Sequence, residues 1–251
     1  MDLKNKTALV TGGALRVGKA ITLGLARAGA NVVINFHTSI DEAQITNDEA
    51  AALGVKSLPI QADVSDPKQV MNMVETAQKQ FGHIDILVNS ASYFKTTPVP
   101  TTNIELWQQI TRVMVDGAFF CANAVAPQMI ETGAGVIINI VDLSPWQPAP
   151  RFAAHNVGKA ALLAMTRQLA VDLSPHIRVN AIAPGAVLPP AAYDEVKIQK
   201  VAQRNLLNRW GSPEDVVQTV LFLIRSDFIT GEVIVVDGGE RYGRTKNGYY
   251  R

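Results

Sequence analysis

One cysteine, Cys121, occurs in 251 residues, so no disulfide can form within the chain and a scaffold stapled for an oxidising compartment is excluded. Charge is scarce and balanced. Charged residues make up 18%, with 23 basic against 22 acidic side chains and a formal net charge of +1. No overall field is left to hold a polyanion or an acidic membrane surface, which removes nucleic acid and lipid from the expected partners. Uninterrupted apolar runs stay short of the roughly 20 residues that cross a bilayer, and no basic segment with an apolar one behind it precedes the first strand pattern. The expectation is a cytoplasmic, reduced protein, and no metal site is expected.

What the chain does have is apolar matter, 47% of residues, enough for a sizeable core in one domain spanning 1–251. Strand-length apolar runs recur as TALVT from 7, NVVINF from 31, VKSLPI from 55, IDILVN from 84, GVIINIV from 135, IRVNAIA from 177 and EVIVVD from 232. Continuous runs of this kind suit strands covered on both faces. Between them lie helix-length segments at about 17–29, 41–53, 67–81, 103–131, 152–173 and 213–225, with another inside 192–206. Ser65-Asp66-Pro67 and Ser212-Pro213-Glu214-Asp215 put a capping side chain ahead of a first-turn proline. Strand and helix in alternation predict an α/β, Rossmann-type doubly wound parallel sheet. The last stretch, RYGRTKNGYYR at 241–251, reads as a frayed tail or as an arm that docks on another subunit.

In such a fold the ligand lies beyond the carboxyl ends of the strands, where strand order reverses. The first strand runs into TGGALRVGKAI, placing Gly12, Gly13 and Gly18 where missing side chains let amides approach a pyrophosphate at a helix start. This segment resembles the glycine fingerprint of the short-chain dehydrogenase/reductase family, with Arg16 in the place of its middle glycine. Four further landmarks carry the resemblance along nearly the whole chain: Asp63-Val64, Asn89-Ser90-Ala91-Ser92, Ile177 to Gly185, and VDGG at 236–239. The resemblance implies a nicotinamide dinucleotide held by Gly12, Arg16, Val17, Gly18, Asp63, Val64, Asn89, Ser90, Ala91, Lys159, Pro184 and Gly185. At the end of the second strand, Asn35 to Ser39 offer no carboxylate to a ribose; with His37, Thr38 and Ser39 there, a 2′-phosphate fits, and NADP(H) is expected over NAD(H).

Hydride delivery to a C=O or C=N bond needs a proton donor at the heteroatom. The resembling family supplies a tyrosine four residues before a lysine; this chain has His155 and Lys159 at that spacing, Asp142 where the family has serine, and Met114 near its helix asparagine. Arg16, the NSAS turn, Phe94 and Val141-Asp142 together resemble the pteridine reductase branch. That implies a flat heterocyclic substrate on Phe94, with Arg16 and Ser92 beside it, and Asp142, His155 and Lys159 as catalytic residues. Plainer readings stand beside these: Phe94 as loop packing, Asp142 as a turn cap, His155 as a helix cap, Lys159 as a solvated lysine, Arg16 as a surface charge. The expected function is an NADP(H)-dependent reductase of a small carbonyl or imine compound; the alternative is an NADP(H)-binding sensor or structural subunit with impaired catalysis. A homo-oligomer, a tetramer by resemblance, is expected, and the segment AVLPPAAYDEVKIQ after Gly185 is expected to cover the pocket.

Overall fold

Seven runs of aliphatic residues form the centre of the computed structural model, which describes residues 1–243. The expected tail or arm therefore lies, for residues 244–251, outside the described residues. The strands are β1 (Thr7–Thr11), β2 (Asn31–Phe36), β3 (Ser57–Gln61), β4 (Ile86–Asn89), β5 (Gly135–Ile140), β6 (Ile177–Pro184) and β7 (Val233–Val236). They build one all-parallel sheet in the order β3-β2-β1-β4-β5-β6-β7. Every residue of β1 and β5 is buried, as expected for strands covered on both faces.

The helices are α1 (Arg16–Arg27), α2 (Ile40–Ala52), α3 (Pro67–Phe81), α4 (Ile104–Thr111), α5 (Gly117–Glu131), α6 (Ala153–Asp172), α7 (Glu195–Ala202) and α8 (Pro213–Arg225). Side chains alternate across the strands, so Val10, Ile34 and Ile86 meet Leu25 of α1 and Val220 of α8 on one face. Leu9, Leu87 and Ile137 meet Met73 of α3 and Val125 of α5 on the other. The start signals are realised. Asp66 accepts from the Lys68 and Gln69 amides ahead of α3, and Ser212 and Asp215 cap α8 reciprocally, contacts worth about 1 kcal/mol each.

The segment 103–131 is not one regular helix. A π turn, Arg112–Asp116, separates α4 from α5. It lies where Met114, 1% exposed, presses on α6: a Cβ added at Gly158 would fall 2.6 Å from Met114 Cε. The whole run Ile104–Glu131 is long and apolar enough, by composition, to cross a membrane, yet it packs against α3, α6, β4 and β5. The topology that matters is the break between β1 and β4. The chain winds outward from β1 through β2 to β3 and then resumes beside β1 as β4, which opens a crevice at the strands' carboxyl ends.

Candidate active site

A cavity of about 880 Å³ occupies that crevice. Its floor is the loop from β1 to α1, folded so tightly on itself that a Cβ at Gly18 would lie 2.1 Å from the Gly12 carbonyl oxygen. Gly12 itself has φ 60° and runs against the Ala91 backbone, a conformation and an approach that suit only glycine. Arg16 also has a positive φ, 51°, costly for a side chain of its size, and its guanidinium donates to the Leu188 carbonyl at 3.1 Å. Helix α1 starts without a side-chain cap and without an acid in its first turn, whereas side chains cap α3, α4, α7 and α8. Its first amides are left open to the cavity, and the loop fits a pyrophosphate there.

The structure brings most of the expected residues to this one wall: Gly12, Arg16, Val17, Gly18, His37, Thr38, Ser39, Asp63, Val64, Ser90, Ala91, Ser92 and Phe94. Others serve as scaffold. Asn35 also lines the cavity, yet it is buried and uses its amide to join the loop to two strands, accepting from Gly12 N and donating to the Ala62 carbonyl. Asn89 is also buried and donates to Asn139 and to the Ala118 carbonyl. Neither it nor Pro184 nor Gly185 reaches the cavity wall; the Gly185 amide is tied to Val236 of β7. Thr11 Oγ1 accepts from the Ser90 and Ala91 amides, closing the switch point between β1 and β4. The wall also carries Gln109, Arg112 and Val113, which sequence reading passed over. No spacing singles them out in a segment that also carries Glu105, Gln108, Thr111 and Asp116.

Behind the cavity, Asp142, His155 and Lys159 form a cluster of their own. His155 Nε2 lies 2.7 Å from Asp142 Oδ2, and Asp142 Oδ1 accepts from the Ser144 amide at 2.8 Å. Lys159 Nζ donates to the Ile140 carbonyl at 2.7 Å. Burial by itself would raise the Asp142 carboxyl. The hydrogen bond from His155, the charges of Lys159 and His155 and the Ser144 amide outweigh it, and the carboxyl ends below the ordinary 3.8. Burial also lowers the Lys159 ammonium below 10.5, against the opposing charge of Asp142. With Asp142 ionised, the short contact needs its proton on Nε2. That leaves Nδ1 as the free nitrogen, and it is buried without a hydrogen-bond partner among the described residues.

Phe94 covers the cluster. Its ring meets the His155 ring edge-on at 4.7 Å and stacks on Phe152 at 4.6 Å and 15°. It also lines the cavity and is 59% exposed. The plainer readings are therefore partly realised. Phe94 packs in its loop, and Asp142 caps a turn while pairing with His155. Lys159 is 4% exposed and is not a solvated helix lysine, and His155 caps nothing.

A 3-oxoacyl-[acyl-carrier-protein] reductase, FabG, of Staphylococcus epidermidis is 35% identical over 241 residues, covering 94% of this chain and 98% of that one. A family profile described as Enoyl-(Acyl carrier protein) reductase matches residues 13–240. The chain belongs to the short-chain dehydrogenase/reductase family. Among solved members of this fold, an acetoin dehydrogenase, YohF, from Salmonella typhimurium superposes with a TM-score of 0.88 at 33% identity, covering 97% of this chain and 98% of that one. FolM alternative dihydrofolate reductase 1 from Brucella canis, solved with NADP, gives 0.90 at 33% identity with 96% of each chain covered. As a short-chain dehydrogenase/reductase, the chain is an oxidoreductase with a nicotinamide dinucleotide site. The crevice between β1 and β4 has the shape and the open amides for it.

Proposed function

We propose that this chain is an NADPH-dependent reductase of a carbonyl or imine, acting on a flat heterocycle of the dihydropterin class, with Asp142 and His155 supplying the proton. The observation that carries this reading is the His155–Asp142 pair lying directly under Phe94, an aromatic ring shared with the dinucleotide cavity. A nicotinamide held in the crevice would supply a hydride. The chain's own residues hold the reactants and move the proton. Phe94 offers a flat apolar surface to a planar ring. Asp142 keeps its charge, fixes the imidazole through Nε2 and is the counter-ion that an imidazolium needs, so the atom left to donate is Nδ1. Arg16, at the cavity wall with its guanidinium on the Leu188 carbonyl, is the side chain assigned in this reading to both the dinucleotide and a polar edge of the substrate. The structure of FolM, solved with NADP, supports the substrate class by likeness.

The NADPH preference rests on the end of β2. His37, Thr38 and Ser39 line the cavity without a carboxylate, and the Ser39 side chain makes no cap bond at the start of α2, leaving a hydroxyl and helix amides for a phosphate. Asp41 and Glu42 in the first turn of α2 oppose this, which keeps NAD(H) as the second choice. A second functional reading, a dinucleotide-binding protein without turnover, is favoured by one observation: His155 is 6% exposed under Phe94. NADPH oxidation measured against dihydropterins, quinones and cyclic imines, beside thermal shift with each, separates the two. Turnover supports the enzyme; stabilisation by NADPH with no oxidation in any mixture supports the binding protein.

A further inference from the structure

The segment that follows Gly185 leaves the sheet, runs through α7 and returns at residues 203–212 to enter α8. Both ends of this excursion are fastened to one short turn after β7, Asp237–Tyr242. At the outgoing end the Glu240 carboxylate faces the Ala186 amide, and Gly185 is so close that an added Cβ would lie 3.0 Å from Glu240 Oε2. At the returning end the Leu206 and Leu207 amides both donate to the Gly238 carbonyl, at 2.9 and 3.3 Å. A third strand of chain reaches the same turn. Gln147, on the loop that carries Asp142 from β5 to α6, donates to the Arg241 carbonyl at 2.8 Å and the Glu240 carbonyl at 3.5 Å. Asp237 stiffens the turn by accepting from the Gly239 and Arg241 amides. None of these residues lines the cavity.

We infer that Glu240 and Gln147 are positioning residues: through the Asp237–Tyr242 turn they hold the Asp142 loop and the segment after Gly185, whose Leu188 carbonyl accepts from Arg16 of the cavity wall, in one frame, fixing how far that segment stands from the acid pair. This rests on the proposed reading that substrate is reduced beside His155, but its geometry does not depend on which substrate that is. Burial raises the Glu240 carboxyl and the charge of Asp237 adds to it, while Arg204 and the Ala186 amide oppose. Because both residues act at a distance, their loss is expected to loosen that segment and the Asp142 loop and weaken substrate binding without touching the dinucleotide groove.

The test uses the full chain with Glu240→Ala, Glu240→Gln and Gln147→Ala, reading amide hydrogen exchange without ligand, NADPH affinity by fluorescence, and KM and kcat for whichever compound is turned over. In Glu240→Ala, exchange over 186–193 is expected to speed up about fivefold or more, the equivalent of one net hydrogen bond. Gln147→Ala does the same over 142–149. KM rises in both, kcat changes less, and NADPH affinity holds. Glu240→Gln, whose amide oxygen can still face Ala186 N, restores slow exchange and low KM. Unchanged exchange in both alanine variants overturns the inference, as does a loss of kcat at constant KM. If the wild-type protein oxidises NADPH with no compound, the functional reading fails, while the exchange data still decide this one; if Glu240→Ala melts below the assay temperature, Gln147→Ala and Glu240→Gln decide it.

Discussion

His155 Nε2 and Asp142 Oδ2 lie 2.7 Å apart, with the far oxygen of Asp142 held by the Ser144 amide. The two residues come from different elements, the end of β5 and the first turn of α6, so the sheet and the packing of α6 on Met114 set their separation. Two consequences follow from the contact. The imidazole is anchored through Nε2, and its free nitrogen is Nδ1. An ordinary hydroxyl donor at this point of the fold would have one polar atom, whereas this ring uses one nitrogen for anchorage and keeps the other for chemistry.

Replacing His155 by alanine is expected to lower kcat by roughly 10²–10⁴-fold, the range for a lost general acid, with NADPH affinity unchanged because His155 is not on the cavity wall. Steady-state kinetics and a fluorescence titration check this together. An unaltered kcat with a confirmed substrate would remove His155 from the mechanism.

The Asp142 pair also makes stability depend on acid. The folded carboxyl holds its proton less tightly than the free side chain. Its contribution is therefore present above the ordinary carboxylate value and is lost as pH falls through the lowered one. Thermal midpoints of the wild type and of Asp142→Asn, measured from pH 7 down to about 3, should draw together in acid. A gap that stays constant would mean that the carboxylate charge adds nothing.

Much of this was legible in the chain's own pattern, and the losses have physical causes. The buried strands announce themselves because a sheet covered on both faces needs unbroken apolar runs, and Asp66 and Ser212 mark their helices because caps are local. The π turn at Arg112–Asp116 is not local: it arises where Met114 meets Gly158, more than forty positions along the chain, and no period in the sequence records it. Asn35 begins the carboxylate-free run at the end of β2, and only the fold shows its amide engaged with Gly12 and Ala62. Asp142 and His155 were paired by resemblance alone, and the work of Gln147 on two backbone carbonyls has no sequence signature at all.

Thr38 is exposed at the end of β2, on the cavity wall. NADPH is expected to bind more tightly than NADH, and Thr38→Asp to reverse the order, because a carboxylate there repels a 2′-phosphate and accepts hydrogen bonds from a free ribose hydroxyl. Titration of both cofactors against both proteins reads this directly. Equal affinities in the wild type would refute the preference.

Apolar surface is left over on the outer helices. Phe119 of α5 is 46% exposed, Val171 of α6 74% and Phe222 of α8 50%, on faces that one sheet cannot cover. A homo-oligomer, in the expected case a tetramer with two-fold axes, should give a multiple of 27.1 kDa by light scattering. A monomer at micromolar concentration contradicts it.

The sharpest test of the site is His155→Tyr, which puts a phenol four residues before Lys159. Asp142 anchors the imidazole through Nε2, and a phenol at the same place would donate from its single oxygen instead. The variant is therefore expected to retain reductase activity, well above that of His155→Ala, with NADPH affinity unchanged. Phe94 borders the position with aromatic surface, which suits a phenol ring. Steady-state kinetics of the wild type and the two variants make the comparison. If the tyrosine and alanine variants both turn over at the wild-type rate, the proton reaches substrate by a route that does not pass through residue 155, and the His155–Asp142 pair is structural.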